Sequence, residues 1–256
     1  MSQDDVDEPC LQTYFEQHPA MLLQIVGHCP MHCSLITQPD LIGTYIRRPD
    51  FMMIAKDSGE WRPILIEIES PEKRIFTKDG KTRSDFNHAR DQLTEWRSWF
   101  RDHSNVDQFK ERYGIPNYIE RELMMRMETV LIYGRRSEFD GNPNLTKFRA
   151  SLMKPSEHLM SFDRLSSLKM NDLDCQIAMT IKPTGSGHFQ AVWVPETFSL
   201  GPEFADRLHY ISGIESAIYN NPNISDERKR FLVERIDYWK TWSRSNSGTY
   251  VGGHRE

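Results

Sequence analysis

The chain has 256 residues, is 38% hydrophobic and 27% charged, and carries a net charge of −5. That is an ordinary globular composition: four scattered cysteines exclude a disulfide framework, and no apolar run approaches the length of a membrane span. The charge argues against a generally basic nucleic-acid binder, but Asp4, Asp5, Asp7 and Glu8 supply much of it within the first residues, and the rest is nearly neutral.

In chain order, residues 1–9 read as a disordered acidic leader without the basic start and apolar stretch of a signal peptide, so the expected location is cytoplasmic. Leu11, Tyr14, Phe15, Leu22, Leu23 and Val26 recur at helical spacing over 10–27, with a turn at His18-Pro19. The run "HCPMHC" (28–33) has zinc-ligand residue types, but structural zinc takes two separated ligand pairs and no second pair follows; ordinary residues before a strand are the better reading. Two or three strands follow between Cys33 and Ala55, broken at Gln38-Pro39-Asp40 and Arg48-Pro49. Asp57-Ser58-Gly59 then turns the chain into a strand over 63–69, which Pro71 ends.

That strand contains an anomaly. In "ILIEIES" (64–70) the apolar run is interrupted by Glu67 and Glu69, and residues two apart on a strand point to one face, roughly 6.5–7 Å apart. Two like charges aimed together from a buried element repel each other, and burial adds a desolvation cost. An antiparallel pairing of neighbouring strands brings Asp50 beside Glu67. Three carboxylates at a strand end suit Mg²⁺ or Mn²⁺, which removes the repulsion. Spacing alone equally allows the acids to reach solvent or to pair with Arg47, Arg48 or Arg74.

Lys73, Arg74, Lys78, Lys81 and Arg83 then cluster in one loop, a local basic surface able to meet phosphates or simply a solvated loop. Ser84 is placed as the N-cap of a long helix in which Phe86, Ala89, Leu93, Trp96 and Phe100 form the apolar face, with Gln92 at its border. A second helix over 117–127, a strand over 129–134 followed by Arg135 and Arg136, a helix over 142–153, a short strand over 158–162 and a helix from Asp163 complete an alternating pattern that implies parallel pairing. Residues 174–256 read as a mostly helical appendage with a hairpin around Gly185-Ser186-Gly187, an amphipathic helix over 224–242 and a flexible tail from about 243.

Several of these segments resemble a known family. "RRPDF" (47–51), "IEIESP" (66–71) and "HARDQLTEW" (88–96) resemble the PD-(D/E)XK nuclease superfamily. "FEQHPAML" (15–22), "RIFTKDG" (74–80), "LIYGRR" (131–136) and "SFDRL" (161–165) narrow the resemblance to the Shedu anti-phage nuclease domain, over about residues 11–173. The resemblance implies a restriction-endonuclease-like core over 10–173, a central mixed β-sheet flanked by helices. It implies a defence endonuclease that hydrolyses DNA phosphodiesters with Mg²⁺ or Mn²⁺ and leaves 5′-phosphate and 3′-hydroxyl ends. Asp50, Glu67 and the Ile68 carbonyl would hold the metal, with Glu69 as a further ligand or general base and Glu16 as an assisting acid. Gln92 matches the helix glutamine that contacts the site. Glu69 stands where that motif carries a lysine; Lys73 or Lys78 could supply the missing charge. Lys73, Arg74, Lys78, Lys81, Arg135 and Arg136 are the candidate nucleic-acid contacts. DNA and further copies of the chain, as a dimer or tetramer, are the expected partners, with no membrane. The alternative is a catalytically inactive nuclease-fold protein that binds nucleic acid or a partner protein.

Overall fold

The computed structural model describes residues 8–23, 25, 34–42, 48–56, 59–115, 123–167, 179–185, 187–198 and 208–245. Helices α1 (Glu8–Gln17) and α2 (Ala20–Leu23) precede β1 (Ser34–Thr37), β2 (Phe51–Lys56) and β3 (Glu60–Ile68). Then come α3 (Ser84–Trp99), α4 (His103–Arg112), β4 (Met124–Met125), β5 (Glu128–Ile132), α5 (Pro143–Ser151), β6 (Glu157–Met160) and α6 (Phe162–Ser166). Strands β7 (Met179–Gly185), β8 (His188–Trp193) and β9 (Ile211–Ser212) lead to α7 (Ile214–Asn220) and α8 (Asp226–Ser245).

Among the described residues the strands form one mixed sheet in the order β6-β5-β3-β2-β1-β7-β8-β9, with β4 also on β3. β1–β2, β2–β3 and β7–β8 are antiparallel; β3–β5, β5–β6, β1–β7 and β8–β9 are parallel. β2 and β3 are apolar almost throughout because helices cover both faces, so neither face can be polar. Side chains divide by parity. Met52, Ile54 and Leu65 join one core with Phe86, Leu93 and Trp96 of α3, Phe109 of α4 and Leu232 of α8. Phe51, Met53, Ile64, Ile66 and Ile68 join the other with Leu11 and Phe15 of α1 and Leu165 of α6. Pro63 has no N–H to donate, and the neighbouring chain leaves the ladder at that point: β4 pairs with Glu60 and Trp61, and β5 resumes at Ile64.

Several elements differ from the sequence reading. Glu8 and Pro9, assigned to the leader, open α1, while residues 1–7 lie outside the described residues. The "HCPMHC" run, Arg47, the segment 116–122 and the boundary at 173/174 also lie outside them. Met124 and Met125, expected in a helix, form β4 on β3. Helix α4 was not anticipated, although Asp102 caps it by accepting the Ser104 N–H at 2.9 Å. Ser84 lies inside α3 rather than capping it; Arg83 holds the cap position and its side chain makes no cap hydrogen bond. The hairpin and helices expected as a mostly helical appendage are present, but they do not stand apart: β7 pairs with β1, and α7 and α8 bury Ile214, Ile218, Leu232 and Ile236 in the core that α3 shares. The apolar faces of these elements need a partner surface, and the sheet supplies it. Helix α8 runs through Ser245, two residues past the expected start of the tail, and 246–256 lie outside the described residues.

Candidate active site

The register of β2 on β3 sets the site. Phe51 pairs with Ile66, so the next step of the ladder puts Asp50 opposite Glu67, at the start of one strand and the end of the other. Both share parity with Met52 and Leu65 and therefore face α3. Asp50 Oδ2 accepts the Ile68 N–H at 2.8 Å, and the Asp50 carbonyl accepts the Gln38 N–H at 2.8 Å, which ties the end of β1 to the same point. From α3, Gln92 Nε2 donates to Glu67 Oε1 at 2.6 Å. Glu67 Oε2 is shut off from solvent and has no hydrogen-bond partner.

The electrostatics follow from this confinement. Burial is the main force raising the Asp50 carboxyl to about 6, with the negative charges of Glu8 and Glu69 adding to it and the Ile68 N–H opposing it. Burial likewise dominates at Glu67 and pushes it up to about 9, reinforced by Asp50 and Glu69; Gln92 and the Asp50 backbone pull the other way. Two acids are held together at a place that makes charging both costly.

Glu69 does not join them as a third convergent acid. The chain turns after Pro71, and Lys73 Nζ comes back to bond Glu69 Oε2 while also reaching Glu8 Oε1 at 3.1 Å. Burial lowers the Lys73 pKa, but the bonds and charges of Glu69 and Glu8 outweigh it and leave the ammonium above its usual value. The lysine charge therefore sits on Glu69 itself, delivered four residues later than the motif position. Of the two lysines suggested for that charge, Lys73 is the one the loop brings in. Arg74, Lys78 and Lys81 are exposed.

The loop is held firmly. Glu138 accepts the Ile75 N–H at 2.9 Å and the Phe76 N–H at 2.7 Å, and Arg83 N–H donates to the Ile75 carbonyl at 2.9 Å. Gly134 adopts φ +61°, and a Cβ there would lie 2.5 Å from the Lys73 carbonyl oxygen, so only glycine lets β5's end approach the loop this closely. Tyr133, one residue earlier, has a buried hydroxyl without a partner; burial, then the charges of Glu69 and Asp85, raises it to about 12.

Other predicted residues fall elsewhere. Glu16 Oε1 accepts from Thr37 Oγ1 at 2.5 Å and from Gln12 Nε2 at 3.2 Å, and no hydrogen bond joins it to Asp50 or Glu67. Arg48 pairs with Asp40 at 2.6 Å, not with the site acids. Arg135 lies 3.7 Å from Glu72, and the Arg136 N–H donates to Asp163 Oδ2 at 2.6 Å. Sequence reasoning missed Glu8, whose side chain approaches only through the packing of α1, and Tyr133 and Gly134, whose role was visible only as the end of a strand.

Among the described residues no group of three or more His, Cys, Asp or Glu is arranged to hold a metal ion. The donor set is narrower: the carboxylates of Asp50 and Glu67. It nonetheless suits a hard divalent cation. Burial and neighbouring carboxylates raise both pKa values, a cost that a cation between the acids would relieve, and the buried Glu67 Oε2 has no hydrogen-bond partner.

Fold and site together define a mixed α/β protein in which a central mixed sheet, flanked by helices, gathers two half-buried acids at strand ends. A family model described as Shedu protein SduA, C-terminal, matches residues 5–166. That is well over half of the chain, and the chain belongs to this family. No curated protein matches it. No described helix is long and apolar enough to cross a membrane.

Proposed function

We propose that this chain is a metal-dependent DNA endonuclease of the PD-(D/E)XK type that acts in anti-phage defence. Family membership supports the defence role. The observation that carries the enzymatic reading is the pair Asp50 and Glu67, opposite one another across β2 and β3 with an unpartnered buried oxygen, and with the Lys73 ammonium on the neighbouring Glu69. A salt-bridge account of the acids would require a cation on Glu67, and the groups that bond Glu67 are neutral: the Gln92 amide and the Asp50 backbone.

Asp50, Glu67 and the Ile68 carbonyl would hold Mg²⁺ or Mn²⁺. The bound ion supplies charge that activates water and stabilises the phosphate being attacked. The chain's own groups prepare the rest. Gln92 fixes one oxygen of Glu67, and the Ile68 N–H fixes one oxygen of Asp50, so both carboxylates are oriented before a ligand arrives. Lys73, positioned by Glu69 and Glu8, places a positive charge where the nonbridging phosphate oxygens gain negative charge. Glu69 acts first as the anchor of that lysine. The exposed Arg74, Lys78 and Lys81 extend the positive surface along a DNA backbone. Cutting a duplex benefits from paired sites, which makes a homo-oligomer the working form.

Supercoiled plasmid incubated with the protein and Mg²⁺ or Mn²⁺ tests this. Nicking or linearisation is expected, lost in Glu67→Ala and reduced at least about tenfold in Lys73→Ala, which removes a charge-assisted contact. Identical behaviour of wild type and Glu67→Ala across metals and substrates rules the nuclease reading out. Calorimetric metal binding without any cleavage favours the inactive binding protein instead.

A further inference from the structure

A second concave site lies two strands away from the paired acids, where β5 and β6 end. It is a cavity of about 390 Å³ whose lining includes Arg136, Arg149, Arg164, His158, Phe139 and Met153. Among the described residues no carboxylate lines it. The nearby acids are already engaged: Glu138 with the Ile75 and Phe76 N–H groups, Asp163 with the Arg136 N–H, and Glu128 with His158 at 3.1 Å. None of the three arginines forms an ion pair among the described residues.

Arg149 is the most telling of them. Its Nη2 donates to the Leu159 carbonyl at 2.7 Å and its guanidinium lies 5.0 Å from the centre of the Phe139 ring, so it is held in one orientation. Its Nε is buried without a partner. Burial, and then the positive charge of Arg136, lowers its pKa below the usual arginine value, with the Glu138 carboxylate opposing them. A protein that gathers three guanidiniums around a pocket and leaves one of them unsatisfied has arranged them for an anion.

We propose that this cavity binds the phosphate of a nucleotide-sized organic phosphate, with Arg136, Arg149 and Arg164 on the phosphate and Phe139, Leu159 and Met153 against the base or sugar. Three forked cations favour a phosphate over a singly charged carboxylate. The volume lies within the roughly 300–1,000 Å³ of small-molecule pockets, and its mixture of apolar wall and few convergent polar groups is that of an organic ligand rather than a bare ion. The ends of parallel strands are where such ligands bind in α/β sheets. Occupancy would also be felt at the acids: Glu138, flanked by Phe139 and close in sequence to Arg136, holds the backbone of the loop that carries Lys73. The proposal does not depend on the nuclease reading.

Calorimetric titration of the full chain in EDTA at low salt, with each of four nucleoside 5′-monophosphates, keeps the metal site out of the measurement. At least one monophosphate is expected to bind. Its nucleoside and inorganic phosphate should each bind about tenfold or more weakly, because each forfeits one half of the pocket. Arg136→Ala and Arg164→Ala, both exposed side chains, should each weaken binding about tenfold without changing Tm. Arg149→Gln is the stronger test of affinity but also removes the bond to Leu159, so the two exposed variants decide. Glu67→Ala should bind normally. Four silent monophosphates, a nucleoside as tight as its nucleotide, or affinity indifferent to Arg136 and Arg164 would overturn the proposal. So would binding through these arginines of a short blunt duplex alone, which makes the cavity part of a nucleic-acid groove.

Discussion

Glu67 is the residue in which the tension of the site is concentrated, and pH exposes it. Its pKa rises from an ordinary 4.5 to about 9 on folding, and that of Asp50 from 3.8 to about 6. Between its two values the folded chain keeps the proton that the unfolded chain has lost, so the folded state binds more protons and stability falls as pH rises. Without divalent metal, wild type should therefore lose Tm relative to Glu67→Gln from about pH 5 to pH 9, by no more than about 1.4 kcal/mol per pH unit. Glutamine keeps the shape and the contact to Gln92 while removing the charge. Scanning fluorimetry in EDTA across that range measures the difference, and parallel Tm–pH profiles would contradict the burial of the acid. Added Mg²⁺ should then raise the Tm of wild type at pH 8 more than that of the variant, since only ligand bound to the folded form stabilises it. Glu67 stood out in the sequence because two acids in an apolar strand, Glu67 and Glu69, are costly, and the place of Asp50 opposite Glu67 followed from antiparallel pairing. The bond from Glu69 to Lys73 was not legible, because that lysine is set by a turn whose path the intervening residues do not fix.

The element that matters most outside the strands is the loop from Ser70 to Arg83, and its position rests on Gly134. The loop's Ile75 and Phe76 are buried, its backbone is gripped by Glu138, and Lys73 meets the end of β5 through a contact that no side chain at 134 would allow. Gly141 provides the matched comparison: its φ is +77°, but a Cβ there meets nothing within 4 Å. Gly141→Ala carries only the left-handed strain, about 1–2 kcal/mol. Gly134→Ala adds a clash with main-chain carbonyl, which cannot swing aside as a side chain does. Its Tm should fall by several degrees more than that of Gly141→Ala, at roughly 2–4 °C per kcal/mol for a chain of this size. If the two substitutions cost the same, the loop is not seated on Gly134. Periodicity revealed α3 because Phe86, Ala89, Leu93 and Trp96 repeat at helical spacing, yet it misassigned Met124 and Met125, a two-residue strand too short to show any period. Helix α4 has only Val106 and Phe109 buried, which left its apolar face too thin to notice.

At the scale of the whole molecule, the alternation of strands and helices after residue 84 was readable and the parallel pairing of β3, β5 and β6 followed from it. What was not readable was the destination of β7, because a parallel partner 145 positions away from Ser34 leaves no local signal. The hairpin looked separable; in the fold it closes the sheet beyond β1. The family match ends at 166, so the strands that complete this half of the sheet come from residues beyond it. This makes a truncation after residue 173 a sharp test. The cut removes β7 to β9 and leaves the backbone of β1 as a bare edge. It also uncovers the core that Ile214, Ile218, Leu232, Ile236 and Trp239 close. At roughly 1.5–3 kcal/mol for each large apolar side chain, these five alone match the roughly 5–15 kcal/mol that holds an ordinary domain together. Residues 1–173 expressed alone should be insoluble, or should bind a hydrophobic dye and melt without a cooperative transition. A soluble fragment with a sharp thermal transition and native-like circular dichroism would show that the C-terminal third is an independent addition after all. Loss of folding would instead mean that α8 is part of the core, and that substitutions in it that spare the fold are confined to exposed residues such as Phe231 and Tyr238.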